Sequence, residues 1–579
     1  MPRFAPFVPA AAAAMLSAML LPAAAAARPA DHLKPCHVEG AGAEVLCGTY
    51  PVWEDREARR GRKIDLNVVV VPALDKTPAP DAVLYLEGGP GAAATRDVPG
   101  FLDPDGLHRH RDVLLVDQRG TGKSNPLTCD FYGASSHQGR PDPRLLAGDL
   151  FPPDKVRACR DQLSKAADLK LYTTALAVDD FDEVRAWLGY DKVDLIGGSY
   201  GTRSAQVYLQ RHPGSVRTML LDGVLPMDEF IPLHHAYAGK RAVDVLFAEC
   251  AADAACHAAF PHLDEELQAV FERVDRGVKV TVPDGKGGTF EVVPSRGLIA
   301  EGLRFMMYGS GARGVPLAVH RAFEGDMSQL VALAIDRRAQ IDHILAMGLN
   351  FSVTCAEDLP YIDDATAARA TAGTLLGDYR IREQKRVCAD WPRGAVSADV
   401  HQPVVSDVPA LLFSGERDPV TPPEFGERVV KGLSHGRLLI VPHGSHGADG
   451  PCADGVTKHF VESGTVEGLD TSCVTSAPPT RFKTKEHHVA QIDPKLLDRY
   501  AGTYQVDSLQ IVVQSKGTYL AARVAGEEDV DLYPESDTHF FAKVEDLEID
   551  MVIPGAAGGS PEMVVHFGAQ EMKGKRIQQ

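Results

Sequence analysis

The chain has 579 residues, 44% of them hydrophobic and 24% charged, a globular balance that excludes a disordered tract or a fibrous repeat. Lys and Arg number 60 against 79 Asp and Glu, a formal charge of −19. An acidic surface repels polyanions, so nucleic acid and anionic membrane surfaces are disfavoured as partners.

The N-terminus reads as an export signal. Arg3 supplies a weak positive start, Ala10 to Leu21 an apolar stretch, and the run Ala23–Ala27 small-residue cleavage sites, which puts cleavage before Arg28. The stretch is short and alanine-rich for a membrane span. The expectation is a secreted or periplasmic protein with no integral membrane segment after signal removal. Ten cysteines, an even count, agree with an oxidising compartment. They fall as neighbours in sequence: Cys36 and Cys47, Cys129 and Cys159, Cys250 and Cys256, Cys355 and Cys388, Cys452 and Cys473. Five local bridges are the simplest pairing, although sequence alone does not exclude others. There is no CxxC pair and only His257 adjoins the closest two cysteines, so neither metal nor cofactor is expected.

From about Lys63 to Asp222, apolar runs alternate with helix-like segments. Strands are predicted at Ile64–Val71, Ala82–Leu86, Asp112–Val116, Val193–Ile196 and Thr218–Leu221, most of them rich in Val, Leu and Ile as in a parallel sheet buried on both faces. Between them, Leu176, Val178, Phe181, Val184 and Leu188 recur at helical spacing, with Gly189 as the stop. Residues 226–400 read as mainly helical, and the alternation resumes at Ala410–Ser414 and Arg437–Val441. After Asp493, Leu509, Ile511 and Val513, and later Leu547, Ile549 and Met551, alternate with polar residues, the period of an antiparallel sheet packed on one side. The expected organisation is a signal peptide (1–27), an α/β sheet domain in two parts (28–225 and 401–475) around a helical insertion (226–400), a linker (476–492) and a small antiparallel β domain (493–579).

The sharpest motif is Gly197-Gly198-Ser199-Tyr200-Gly201, between the strand Val193–Ile196 and the helical segment Thr202–Arg211. A strand-to-helix turn this tight presents a serine hydroxyl in strained geometry, and its glycines let neighbouring backbone approach. Such a serine needs an acid and a histidine further along the chain. Asp418, in the loop Gly415-Glu416-Arg417-Asp418-Pro419, and His446, in His443-Gly444-Ser445-His446-Gly447, follow the two late strands. His446 would take the serine proton while Asp418 fixes the imidazole tautomer; Glu416 and His443 are the competing choices. An oxyanion needs two aimed N–H donors. Tyr200, after the serine, supplies one, and Gly89, in Glu87-Gly88-Gly89-Pro90-Gly91, supplies the other.

Gly88-Gly89-Pro90-Gly91, Asp117-Gln118-Arg119-Gly120-Thr121-Gly122-Lys123-Ser124 and Gly198-Ser199-Tyr200-Gly201-Thr202 together resemble the proline iminopeptidase and tripeptidyl aminopeptidase family of α/β-hydrolases. The likeness spans roughly residues 45–225 and 400–475. It implies an α/β-hydrolase sheet domain with a helical cap insertion, and removal of residues from peptides with a free N-terminus. Glu87 departs from the family by standing where many members have His. Val353-Thr354-Cys355-Ala356-Glu357-Asp358 resembles the cysteine-plus-acidic motif of the tripeptidyl branch, which makes Glu357, then Asp358, the expected holders of the substrate amine. The C-terminal β domain resembles lipocalin-like modules. The expected activity is therefore that of a serine aminopeptidase; a carboxylesterase or lactonase of the same fold, and a non-catalytic peptide- or wall-binding protein, are the alternatives. His234, His235, His487 and His488 are read as solvated. Asn350-Phe351-Ser352 matches a glycosylation sequon, and Lys123-Ser124 lacks the spacing of a P-loop.

Overall fold

The computed structural model describes residues 29–578 apart from 135–140, 285–287, 449, 486, 507–508, 525–528, 543–546, 553–560 and 568–569. The expected signal peptide lies outside the described residues. Strands β1 (Lys34–Cys36), β2 (Val45–Trp53), β3 (Lys63–Val71), β4 (Ala82–Leu86), β5 (Val113–Val116), β6 (Val193–Gly198) and β7 (Val216–Asp222) precede the insertion. Within the insertion a small hairpin, β8 (Val280–Pro283) and β9 (Thr289–Val292), interrupts the helices, and β10 (Ala410–Gly415) and β11 (Gly436–Val441) follow it. Nine of these form one sheet in the order β1-β2-β3-β5-β4-β6-β7-β10-β11. From β5 to β11 the pairings are parallel. β3, by contrast, runs antiparallel to both β2 and β5. The segment Ile64–Val71 is thus a strand, but not a parallel one. Alternation between exposed and buried residues at its start is the mark of an antiparallel strand with one wet face.

Side chains of opposite parity on the central strands enter two separate cores. Val68, Leu84, Leu114 and Leu195 face one, while Val69, Val83, Leu115 and Ile196 face the other. The insertion carries helices from His235–Ala252 to Tyr379–Cys388, packed over the edge of the sheet where β4, β6, β10 and β11 end. Five disulfides, Cys36–Cys47, Cys129–Cys159, Cys250–Cys256, Cys355–Cys388 and Cys452–Cys473, join residues 6 to 33 apart.

The C-terminal unit is a closed barrel of eight antiparallel strands, β12 (Gly502–Val506), β13 (Leu509–Ser515), β14 (Leu520–Val524), β15 (Val530–Pro534), β16 (His539–Ala542), β17 (Leu547–Val552), β18 (Glu562–Phe567) and β19 (Gln570–Gln578). Period-two alternation points Tyr504, Val506, Ile511, Val513, Leu532, Phe540, Ile549 and Val565 inward. Closure through β12 and β19 removes the free edges that an open sheet would leave. Linker and barrel pack on the cap: Lys483 N–H donates to the Arg313 carbonyl at 3.0 Å, and Arg313 lies 3.6 Å from Glu548. No helix among the described residues is long and apolar enough to cross a membrane.

Candidate active site

Ser199 sits between β6 and the helix Tyr200–Arg211 with φ +53° and ψ −120°, a left-handed backbone that a non-glycine residue holds only under constraint. The constraint is close packing on both sides. A Cβ at Gly197 would lie 2.4 Å from the Gly201 carbonyl oxygen, and one at Gly201 would lie 1.9 Å from that of Leu86, so only glycine fits at either position. Ser199 N–H donates to the Asp222 carbonyl at 2.8 Å, and Thr202 N–H to the Ser199 carbonyl at 2.9 Å. Tyr200 N–H heads the helix, where no intrahelical carbonyl reaches it.

Asp418 and His446 come from the loops after β10 and β11. His446 Nδ1 lies 2.8 Å from Asp418 Oδ2. The same carboxylate accepts from Val420 N–H (2.8 Å), Thr421 N–H (2.8 Å) and the Thr421 hydroxyl (2.7 Å). Burial alone would raise the Asp418 pKa; the His446 charge and these donors overcome it and hold it below the usual carboxylate value. For His446 burial pulls the other way, yet Asp418 raises its pKa above the ordinary imidazole value. A Cβ on Gly223 would approach the His446 ring to 3.1 Å, and the Tyr308 ring of the cap meets it edge-on at 5.0 Å. Glu416 and His443 are engaged elsewhere. Glu416 accepts from the His443 backbone at 3.0 Å, and His443 Nδ1 faces Glu249 at 3.1 Å.

Ser199, His446, Tyr200, Gly88 and Gly89 line one cavity of about 320 Å³. Its walls include Phe131, Phe151, Leu298, Phe305 and Phe425, and its acidic groups are Glu87, Glu229, Glu301 and Asp342. Gly88 N–H is taken by Glu87 Oε1 at 2.7 Å, while Glu87 Oε2 accepts from the Tyr85 hydroxyl at 2.7 Å. Burial, and next its hydrogen bond to Glu87, push Asp97 up to about 8. Glu87 thus ties the Gly88–Gly89 turn to the Tyr85 side chain of β4.

Glu357 and Asp358 do not line the cavity, which corrects their expected role. Both are fully buried. Glu357 accepts from Thr174 N–H at 2.7 Å and from its hydroxyl at 2.6 Å, and that hydroxyl also meets the Tyr200 hydroxyl at 2.6 Å. Asp358 pairs with Arg203 at 2.9 Å and accepts from Ile231 N–H at 3.0 Å. Glu357 thus fastens the end of the helix Met347–Glu357 to the start of the helix Thr174–Trp187, and Asp358, just past that end, is tied through Arg203 to the helix Tyr200–Arg211 that follows Ser199. Asp358→Asn breaks a buried ion pair, and the hydrolase unit is expected to lose about 3–5 kcal/mol of stability. The denaturant midpoint of that unit's transition checks this; an amine-binding role would instead raise KM and leave the midpoint in place.

Of the cavity acids, Glu301 is bound to Arg304 at 2.8 Å, and Glu229 to His234 and Arg428. Asp342, on the helix Ser328–Ile344, has no ion pair or hydrogen bond among the described residues. Burial, with the Asp130 charge, pushes it up to about 7. Sequence reasoning missed Asp342, Tyr308 and Thr421. Thr421 stands three residues after Asp418, a spacing that favours a side-chain-to-backbone turn, whereas nothing local marks the other two. Three further readings are corrected. His234 and His235 line the cavity and His487 is tied to Glu535 at 3.0 Å, so these three are not merely solvated. Asn350 is buried in a helix and donates to the Pro90 carbonyl at 3.0 Å, which removes it as a glycosylation acceptor.

Residues 81–448 match the family model described as the alpha/beta hydrolase fold. The serine protease Hip1 of Mycobacterium tuberculosis is 24% identical over 74% of this chain and 87% of its own length. The tripeptidyl aminopeptidase of Streptomyces lividans is 25% identical over 75% of this chain and 84% of its own. The proline iminopeptidase of Neisseria gonorrhoeae is 30% identical over 24% and 32%. Among solved structures, proline iminopeptidase of Mycobacterium smegmatis aligns over 72% of this chain and 98% of its own, with 17% identity and a TM-score of 0.35. With its sheet order, its Ser199 turn and a family match over most of its length, this chain belongs to the alpha/beta hydrolase fold family.

Proposed function

We propose that the chain is an exported serine aminopeptidase that releases one or a few residues from peptide N-termini, without metal or organic cofactor. The observation that carries the reading is one cavity holding the strained Ser199, His446 backed by Asp418, and a carboxylate, Asp342, with no cation partner among the described residues. Relatives named as a tripeptidyl aminopeptidase and a proline iminopeptidase support it.

His446 takes the Ser199 hydroxyl proton as the oxygen attacks the substrate carbonyl, forming a C–O bond and a tetrahedral oxyanion. Gly89 and Tyr200 N–H groups receive that oxyanion. The intermediate collapses with cleavage of the C–N bond, and His446 hands its proton to the leaving amine. Water, deprotonated by the same imidazole, then hydrolyses the acyl-enzyme and restores the Ser199 hydroxyl. Asp342 ionises against the substrate ammonium. A cation beside a buried carboxylate favours its charged form, so the site selects a free N-terminus.

Asp342→Asn is expected to lower kcat/KM on free-amine prolyl and tripeptidyl amides by about 100-fold. Hydrolysis of the N-acetylated tripeptide, already poor, should not change. Turnover of a simple ester alone would sink the aminopeptidase reading in favour of an esterase or lactonase, and silence on every substrate would favour a binding protein.

A further inference from the structure

We propose a zinc-type divalent cation site where the linker meets the barrel, formed by His487, Glu535 and His539, with Glu548 alongside. His487 comes from the linker, Glu535 from the turn between β15 and β16, His539 from the start of β16, and Glu548 from β17. Ligand atoms of His487, Glu535 and His539 all lie within 4.8 Å of one another. Glu535 Oε2 is 3.0 Å from His487 Nδ1 and 3.6 Å from His539 Nε2. The Glu548 carboxylate is 3.4 Å from His487 Nε2 and 3.6 Å from His539 Nε2. Zinc bonds of about 2.0–2.2 Å at tetrahedral angles separate neighbouring ligand atoms by about 3.4 Å. His539 Nε2 therefore stands from both carboxylates at the spacing of ligands around an ion, beyond the range of a good hydrogen bond.

The second layer is also present. His539 Nδ1 lies 2.7 Å from Asp550 Oδ1, and the other Asp550 oxygen lies 2.9 Å from His566 Nε2. A carboxylate on one imidazole nitrogen fixes the tautomer and turns the other nitrogen toward the metal. His487 turns Nδ1 toward Glu535 and Nε2 toward Glu548, and its ring is stacked on Phe541 at 4.6 Å. The four side chains keep between 17% and 24% of their surface, enough for an ion to enter. Mixed imidazole and carboxylate donors suit zinc rather than magnesium or calcium. His487 is the one donor of the three outside the barrel, so the ion would clamp the linker onto the barrel rim beside Arg313 of the cap.

The test is calorimetric titration of untagged, chelator-treated, disulfide-intact full chain with zinc ion, with cobalt(II) absorption as the check on tetrahedral geometry. One zinc per chain is expected. His539→Ala and His487→Ala should each weaken binding by at least about 100-fold, and Asp550→Asn by about tenfold. His443→Ala, in the separate Glu249, Glu416 and His443 group, should leave the affinity unchanged. Absence of zinc binding by the unaltered chain, equal affinity in all variants, or loss only in His443→Ala would overturn the assignment. If either histidine variant loses the far-ultraviolet signature of the barrel, Glu535→Gln and Asp550→Asn decide by the same criterion.

Discussion

Ser199→Ala is expected to cut kcat by about 10⁶-fold while leaving the fold and substrate affinity in place. The substitution removes one oxygen and keeps the Cβ, so the backbone at φ +53°, held by Gly197, Gly201 and the Asp222 carbonyl, has no new contact to accommodate. His446 and the two N–H donors would remain and would still act on a bound amide through water, so a residue of activity should survive. Steady-state turnover together with active-site labelling by a fluorophosphonate checks the point. The unaltered chain should incorporate one label and the variant none, with the same thermal midpoint. Labelling that persists in the variant would place the nucleophile elsewhere.

Asp418→Asn should cost about 10⁴-fold in kcat, and it should also move the pH profile. The asparagine oxygen can keep the Val420 and Thr421 backbone donors that the carboxylate now holds at 2.8 Å. Its amide group then faces His446 Nδ1 and supplies a donor where an acceptor is needed, which forces the wrong tautomer. The acid limb follows from the same pair. The base must be neutral, so kcat/KM falls as pH drops through the His446 pKa, which lies above the ordinary imidazole value because Asp418 favours the cation against the opposing effect of burial. Removal of that charge should shift the acid limb to lower pH as the plateau collapses. A variant that keeps both its plateau and its limb would assign the orienting role to another acid.

The sheet was legible because its signals are local. Val193–Gly198 and Ala410–Gly415 are short, mostly apolar runs, interrupted only by Asp194 and Ser414, of the kind a strand buried on both faces requires. The glycines at 197 and 201 announce a backbone approach that nothing else permits. β1 and β2, the small hairpin inside the insertion and the closure of the barrel were not legible. Each depends on which strand finds which partner, and that is settled by distant residues, as when β12 meets β19 across the whole domain.

Side-chain partners divide in the same way. The Ser–Asp–His order and the two strand-end loops are written in sequence, and the structure places Asp418 and His446 in contact. The acid at the substrate amine is a different kind of question. Glu357 stood beside a cysteine in a suggestive motif, but whether a carboxylate faces a cavity or is consumed by Thr174 depends on where two helices cross. Asp342 carries no motif at all and acquires its character from burial and from the lack of a counter-charge among the described residues. Local chain chemistry, acting over a few residues, determined the sheet strands and the Ser199 turn. Only tertiary packing, which brings together side chains far apart in sequence, decided which acids are spent on structure and which face the cavity.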